Sequence, residues 1–262
     1  MQTPRLEIIT IVLDGEPWIE RHLVEFQKLR CDWHWHVIEG VANNRHCTNW
    51  CKPLRPRLSN DGTTEYLAKI AGDPRITIRR NAFWDGKIAM VNAPMESIKE
   101  PAVVMQIDSD ELWTASQLDK LIGMFRDVAR IESMQFFCRY FVGKNIITTA
   151  LGHYGNNPGE WLRAWRYHKG ARFQSHEPPV FNLNPGWCMP PEQTNNLGLN
   201  FLHMAYATEA QVRLKEYLYG YENAVAHWKR LQENTTWPVR LKDFLPWVDD
   251  GATADKLKNK TS

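Results

Sequence analysis

The order of patterns along this chain predicts an α/β fold with a largely parallel sheet, and two observations carry that expectation. Short apolar runs, β-branched where they can be, alternate with stretches of helical period over the first half. One of these runs, 102–107, ends abruptly in three carboxylates, Asp108, Asp110 and Glu111. In an open α/β sheet ligands sit outside the carboxyl ends of the strands, so this is where chemistry is expected.

Each element follows from its own pattern. Residues 8–13 read as a strand and 16–29 as a helix, with Trp18, Ile19, Leu23, Phe26 and Leu29 on one face. A second strand spans 35–38, and the polar, proline-containing stretch 43–60 reads as an inserted loop. Asp61-Gly62-Thr63 then caps a helix through residue 70, because Asp or Thr accepts hydrogen bonds from free helix N–H groups. A third strand covers 75–79. The helix over 87–99 carries Pro94, which predicts a kink or an early end. The fourth strand, 102–107, leads through the carboxylates to a helix over 114–129. The second half changes character: 134–142 and 146–151 read as antiparallel strands, and 161–167 as another. Gly and Pro are frequent over 170–191, 201–207 is apolar, and a long amphipathic helix is expected over 208–232. No linker rich in Gly, Ser or Pro divides the chain and no repeat is visible, so 1–262 is read as one domain.

Composition narrows the classes. A formal net charge of +2 and the lack of a basic tract give no footing for nucleic-acid binding. The apolar run near the N-terminus is too short to span a membrane, so no membrane anchor is expected. Five scattered cysteines suit a reducing cytoplasm better than a disulfide framework. His46, Cys47 and Cys51 lie close together, but Cys-x₃-Cys has no second pair at zinc spacing and reads as an incidental loop. Twelve tryptophans are available both to fill cores and to stack on sugar rings or bases.

The carboxylate cluster needs a reason. Like charges at close range repel and raise each other's pKa, and a divalent cation with oxygen ligands, Mg²⁺ or Mn²⁺, removes that cost. The plainer alternative is a polar turn capping the helix that starts near Thr114. Taken with its surroundings, the motif resembles a GT-A glycosyltransferase of the family 2 type. The resemblance runs over about residues 6–130. It rests on the first strand and turn (Ile8 through Ile19), on Glu39-Gly40 closing the second strand, and on Asp85-Gly86-Lys87 through Asn92. Asp108-Ser109-Asp110 follows about 20 residues on, where that family has its D-x-D. The inserted loop before Asp61-Gly62-Thr63 departs from the family pattern, and the second half matches none.

The resemblance implies a Rossmann-like GT-A sheet with a nucleotide-sugar-binding half (about 1–130) and an antiparallel acceptor half with C-terminal helices (about 131–262). It implies transfer of a sugar, by default from a UDP-sugar, to a glycan or other hydroxyl acceptor, with inversion. Nucleotide-sugar contacts are then expected from Asp14, Glu39, Asp61, Lys87, Asn92 and Asp108, with Lys87 a point charge for the diphosphate. Asp110 leads the metal ligands, Asp108 reaches metal or ribose, and His203 completes the shell, with His176 its rival. Glu111 is read as a supporting group or as a first-turn acid. The base that deprotonates the acceptor is sought in Glu177, which two prolines follow, and next in Glu160. Trp161, Trp165 and Trp187 are candidate stacking surfaces for the acceptor, while the roles of Arg163 and Arg166 stay open. Other readings are a sugar nucleotidyltransferase, disfavoured because the first turn has one glycine and an acid where phosphate would lie, a non-catalytic carbohydrate or nucleotide-sugar binder, and a metal-dependent phosphoesterase or nuclease.

Overall fold

A computed structural model describes residues 2–45, 48–157, 159–183 and 186–257. Strand β1 (Arg5–Val12) leads to helix α1 (Ile19–Phe26), β2 (Trp33–Ala42), α2 (Thr63–Ile70), β3 (Ile76–Trp84), α3 (Lys87–Asn92) and β4 (Ala102–Gln106). The short β5 (Glu111–Leu112) and α4 (Ala115–Asp127) close the first half. The second half supplies β6 (Ile131–Gln135), β7 (Cys138–Gly143), β8 (Ile146–Thr148), β9 (Leu162–Arg166), β10 (Phe173–His176), β11 (Pro179–Phe181), β12 (Trp187–Met189) and α5 (Pro191–Asn196). It ends with β13 (Phe201–His203), α6 (Glu209–Tyr219), α7 (Ala224–Glu233), β14 (Val239–Arg240) and β15 (Thr253–Lys256).

The main sheet has the order β12-β6-β9-β4-β1-β2-β3. Strands β3, β2, β1 and β4 run parallel, and β9 pairs antiparallel with both β4 and β6. This is the expected α/β class, a Rossmann-like, largely parallel sheet continued by antiparallel strands of the second half. The parallel strands β1, β2 and β4 are largely buried on both faces, as near-continuous apolar runs require, whereas the edge strand β3 is mostly exposed over its second half. Ile8, Trp35, Val103 and Met105 pack with Phe26 of α1 and Leu121 and Phe125 of α4 on one face, while Ile9, Ile38 and Val104 pack with Met90 and Val91 of α3 on the other. Each such side chain contributes about 1.5–3 kcal/mol by leaving water. A second sheet, β14-β15-β8-β7-β13-β5, lies beyond the carboxyl end of β4, and β10 with β11 forms a separate hairpin.

Several elements differ from expectation, for local reasons. The strand expected over 134–142 is two strands, and β6 and β7 belong to different sheets, the chain changing sheet at Phe136 and Phe137. The helix expected over 208–232 breaks into α6 and α7, because Gly220 and Asn223 take left-handed backbone (φ 70° and 54°). The helix over 87–99 ends at Asn92, before Pro94, and resumes only as a 3₁₀ turn at Met95–Ser97. The first helix begins at Ile19, past Pro17. Strand β2 runs past Glu39-Gly40, its register to β3 shifting between Glu39 and Val41. Gly40 sits there at φ 131°, and a Cβ would lie 1.8 Å from the Asn81 carbonyl oxygen, so only glycine fits.

Candidate active site

Strand β1 is flanked by β2 on one side and β4 on the other; the connection after β1 leads to β2, and the chain after β4 leads to β6 and β9 on the opposite side. A crevice at the carboxyl ends of β1 and β4 is the topological switch point of such a sheet. A cavity of about 780 Å³ opens there, lined by residues 11–13 at the end of β1, by Asp108 to Asp110 after β4, and by α6 and the second sheet. That volume is in the range of small-molecule sites.

The carboxylate turn is built from several sides. The Glu111 N–H donates to the Asp108 carbonyl, and His22 of α1 donates through Nε2 to the Ser109 carbonyl at 2.9 Å. Burial pushes the His22 imidazole down to about 4, so this donor is neutral at neutral pH. The helix that follows is capped by Thr114 and Gln117, which exchange hydrogen bonds in a capping box. The acids therefore do not serve as that cap. Glu111 lies in β5, outside the helix's first turn, and is fully buried against Arg163 of β9, with N···O distances of 2.8, 3.0 and 3.2 Å. Burial, opposed by Arg163 and reinforced by the Asp108 charge, lifts the Glu111 carboxyl to about 7. The same guanidinium stands 3.5 Å from Asp108. Because β9 is a strand, Arg163 and Arg166 point to opposite faces, and Arg166 instead donates to the carbonyls of Phe125 and Ile131.

Asp110 and His203 meet through the second sheet. Strand β13 pairs antiparallel with β5, setting His203 beside Glu111, and the Met204 N–H donates to the Asp110 carbonyl. His203 Nε2 then stands 3.6 Å from Asp110 Oδ2, with the ring edge-on to Tyr140 and Trp161. Burial raises the Asp110 carboxyl, but His203 and Lys215 outweigh it and hold it well below the usual carboxylate range. Among the described residues, no three His, Cys, Asp or Glu side chains converge closely enough to hold a metal by themselves. His46 and Cys47 lie outside the described residues. The Asp110–His203 pair nonetheless suits a cation whose remaining positions come from phosphate and water, the habit of Mg²⁺ at nucleotide sites.

Two more acids and two more cations face the cavity. Glu177 occupies the two-residue tip of the β10–β11 hairpin and pairs with Lys87, the first residue of α3. Burial lifts the Glu177 carboxyl, yet His176 and Lys87 outweigh it and hold it at about 2. Glu160 makes no ion pair among the described residues, accepting from the Asn157 N–H at 3.0 Å, and burial holds its carboxyl above the ordinary range. Lys215 of α6 has no hydrogen bond or ion pair among the described residues and lies over the rings of Tyr206 and Tyr219, 4.9 and 5.6 Å away.

The cavity thus gathers Lys87, Asp108, Asp110, Glu160, Trp161, Glu177 and His203, together with His176. Others of the expected residues stand elsewhere. Asp14 gives its carboxylate to Arg57 and the Asn60 N–H, which ties the inserted loop to the end of β1. Glu39 is fully buried and accepts from Arg80, Thr64 and the Ser59 N–H. Asp61 holds the turn after β1 through the Glu16 N–H. Asn92 pins the backbone of Phe173 with two hydrogen bonds of 2.9 Å. Trp165, 1% exposed, is stacked on Phe181 in the core and has no free face for an acceptor. Trp187 lies on the far edge strand under Arg130. Trp161 lines the cavity, though little of it is exposed, and its indole N–H donates to the Gly155 carbonyl. Sequence reasoning did not single out Lys215 or the tyrosines 140, 154 and 206, since nothing local separates them from ordinary core and surface positions.

The fold and cavity define an α/β protein with an acidic, cation-edged crevice at the switch point of its sheet. No family model matches the chain, and no curated protein does. Among solved structures, a mannosyltransferase from Pyrobaculum calidifontis in complex with GDP-Man and Mn²⁺ aligns at 13% identity and a TM-score of 0.47, over 94% of this chain and 68% of that one. S. aureus TarS in complex with UDP-GlcNAc aligns at 12% identity and a TM-score of 0.39, over 52% of this chain. The chain spans only 35% of that TarS chain. A 4-diphosphocytidyl-2C-methyl-D-erythritol synthase aligns at 11% identity and a TM-score of 0.39, over 63% of this chain and 76% of that one. No helix among the described residues is long and apolar enough to cross a membrane.

Proposed function

We propose that this protein transfers a sugar from a nucleotide-sugar, by default a UDP-sugar, to a hydroxyl acceptor such as a glycan, with a divalent cation. The observation that carries this reading is the meeting of Asp110, His203, Lys87 and Lys215 in one crevice at the carboxyl ends of β1 and β4. A nucleoside diphosphate needs this combination: an anionic pair for a metal, and cations for the phosphates.

Asp110 and His203 would hold the cation, with Asp108 alongside, and the bound cation would neutralise charge on the departing diphosphate. Lys87 of α3 and Lys215 of α6 supply positive charge to the cavity. In the free protein Glu177 neutralises Lys87, so a diphosphate competes with Glu177 for that ammonium. A carboxylate held at about 2 is a weak base, and Glu177 is better suited to tuning Lys87. Glu160, raised by burial and outside any ion pair among the described residues, is the better general base for an acceptor hydroxyl. Tyr140, Tyr154 and Trp161 give the acceptor an aromatic wall. A single displacement with inversion is the stereochemical course we assign.

Thermal-shift measurements with UDP-, GDP-, CMP- and dTDP-sugars, with and without Mn²⁺, test the reading. Stabilisation by one nucleotide class, dependent on metal and lost in Asp110→Asn, is expected, because a ligand that binds only the folded state raises its melting point. No shift with any donor in either condition would overturn it.

A further inference from the structure

Gln106, the last residue of β4, is fully buried, and its side-chain nitrogen has two neighbours. It lies 3.1 Å from Asp108 Oδ1 and 3.2 Å from Nε2 of His176, a ring that is itself buried. An ionised carboxylate only accepts hydrogen bonds, so the atom that Gln106 turns toward Asp108 is its NH₂ group. The reversed amide would set two oxygens against each other at that distance. It would also have given the Gln106 carbonyl oxygen, which has no partner among the described residues, a donor in His176. The observed orientation leaves that oxygen unpaired and satisfies Asp108.

The second N–H of the same NH₂ group then reaches His176, whose Nε2 has to accept. A neutral imidazole that accepts at Nε2 carries its proton on Nδ1. That nitrogen makes no hydrogen bond among the described residues, and Glu177 Oε1, the carboxylate that also takes Lys87, stands 3.5 Å from it. We propose that Gln106 is a positioning residue: by donating to both Asp108 and His176 it locks His176 in the Nδ1–H tautomer and aims that proton at Glu177. The chain Asp108–Gln106–His176–Glu177–Lys87 links the carboxylate turn after β4 to the tip of the β10–β11 hairpin. With its Nε2 lone pair occupied, His176 orients Glu177 and is not available as a base. The tautomer does not depend on the reaction, whereas its consequence for sugar transfer rests on the function proposed above.

The test is nitrogen NMR of the whole protein labelled with ¹⁵N-histidine, near pH 7.5 without added metal, using His176→Gln to identify the His176 signals among the nine histidines. The expected spectrum has a protonated Nδ1 and an unprotonated Nε2. Gln106→Met and Gln106→Leu, which offer Nε2 no donor, are each expected to give a mixture of the two tautomers. A protonated Nε2 with a bare Nδ1 in the unsubstituted protein would overturn the proposal. So would a Nδ1–H tautomer that persists unchanged in the folded variants. Should Gln106→Met fail to fold, the unsubstituted protein and Gln106→Leu still decide. The readout is a proton position in the free protein, so it succeeds or fails separately from any donor-binding result.

Discussion

Arg163 is expected to hold the carboxylate turn in place, and removing it has a size that follows from its surroundings. Arg163 is 3% exposed, and its guanidinium contacts the fully buried Glu111 at 2.8–3.2 Å and stands 3.5 Å from Asp108. Arg163→Met leaves two carboxyl groups without their cation, one of them with no access to water. Breaking a buried pair by removing one partner costs about 3–5 kcal/mol. For a chain of this size that is about 6–20 °C in melting temperature, at roughly 2–4 °C per kcal/mol. Glu111→Met in the same chain removes the uncompensated charge and is expected to recover about half or more of the loss, because an apolar pair of similar volume replaces a buried ion pair at little net cost. Urea unfolding followed by tryptophan fluorescence, for both single variants and the double variant, gives the coupling energy. If Arg163→Met costs less than about 1 kcal/mol, or if the double variant is no more stable than Arg163→Met, the ion pair does not anchor the turn and the reasoning fails.

Four further outcomes are expected. Asp110→Asn and His203→Asn should each remove the metal-dependent part of donor stabilisation while leaving the melting point of the free protein within a few degrees; metal dependence intact in both would sink the metal assignment. Glu160→Gln should lose transfer while keeping donor binding, and if turnover survives there but vanishes in Glu177→Gln, the base is Glu177. Lys215→Met should weaken nucleoside-diphosphate binding about ten- to a hundredfold, the equivalent of about 1.5–3 kcal/mol for a charge-assisted hydrogen bond, and unchanged affinity by calorimetry would remove Lys215 from the site. Glu177 titrates at about 2 in the folded protein against its ordinary 4.5, so the unfolded chain binds that proton more tightly. Its contribution is present above pH 4.5 and lost as the pH falls toward 2, on the order of 1 kcal/mol given its partial exposure. An acid limb of stability unchanged in Glu177→Gln would contradict this.

Much of the parallel half was legible because it rests on local rules. Alternating strand and helix periods placed β1 to β4, and Pro94 foretold the early end of α3. The acids after residue 107 marked the strand end on which the crevice is built. The second half was harder to read because its breaks are single residues. Gly220 and Asn223 divide one amphipathic pattern into α6 and α7, and the change of sheet at Phe136 and Phe137 lies inside what reads as one apolar run. The inserted loop was recognised, but its anchor was not, because the Asp14–Arg57 pair joins positions that no local pattern connects.

By itself the sequence determined the α/β alternation, the carboxylate turn and the presence of Lys87 at a helix start, since each depends only on neighbours within a few residues. Tertiary structure decided the partners. His203 meets Asp110 because β13 pairs with β5, and Arg163 faces Glu111 because β9 is a strand whose alternate residues point to opposite faces. Lys215 reaches the cavity because α6 packs across it, and Trp165 lies in the core because the β10–β11 hairpin places Phe181 on its ring. These are contacts between residues far apart in the chain, and they are set by strand register and by which face of each element is covered, quantities that one-dimensional periodicity does not contain.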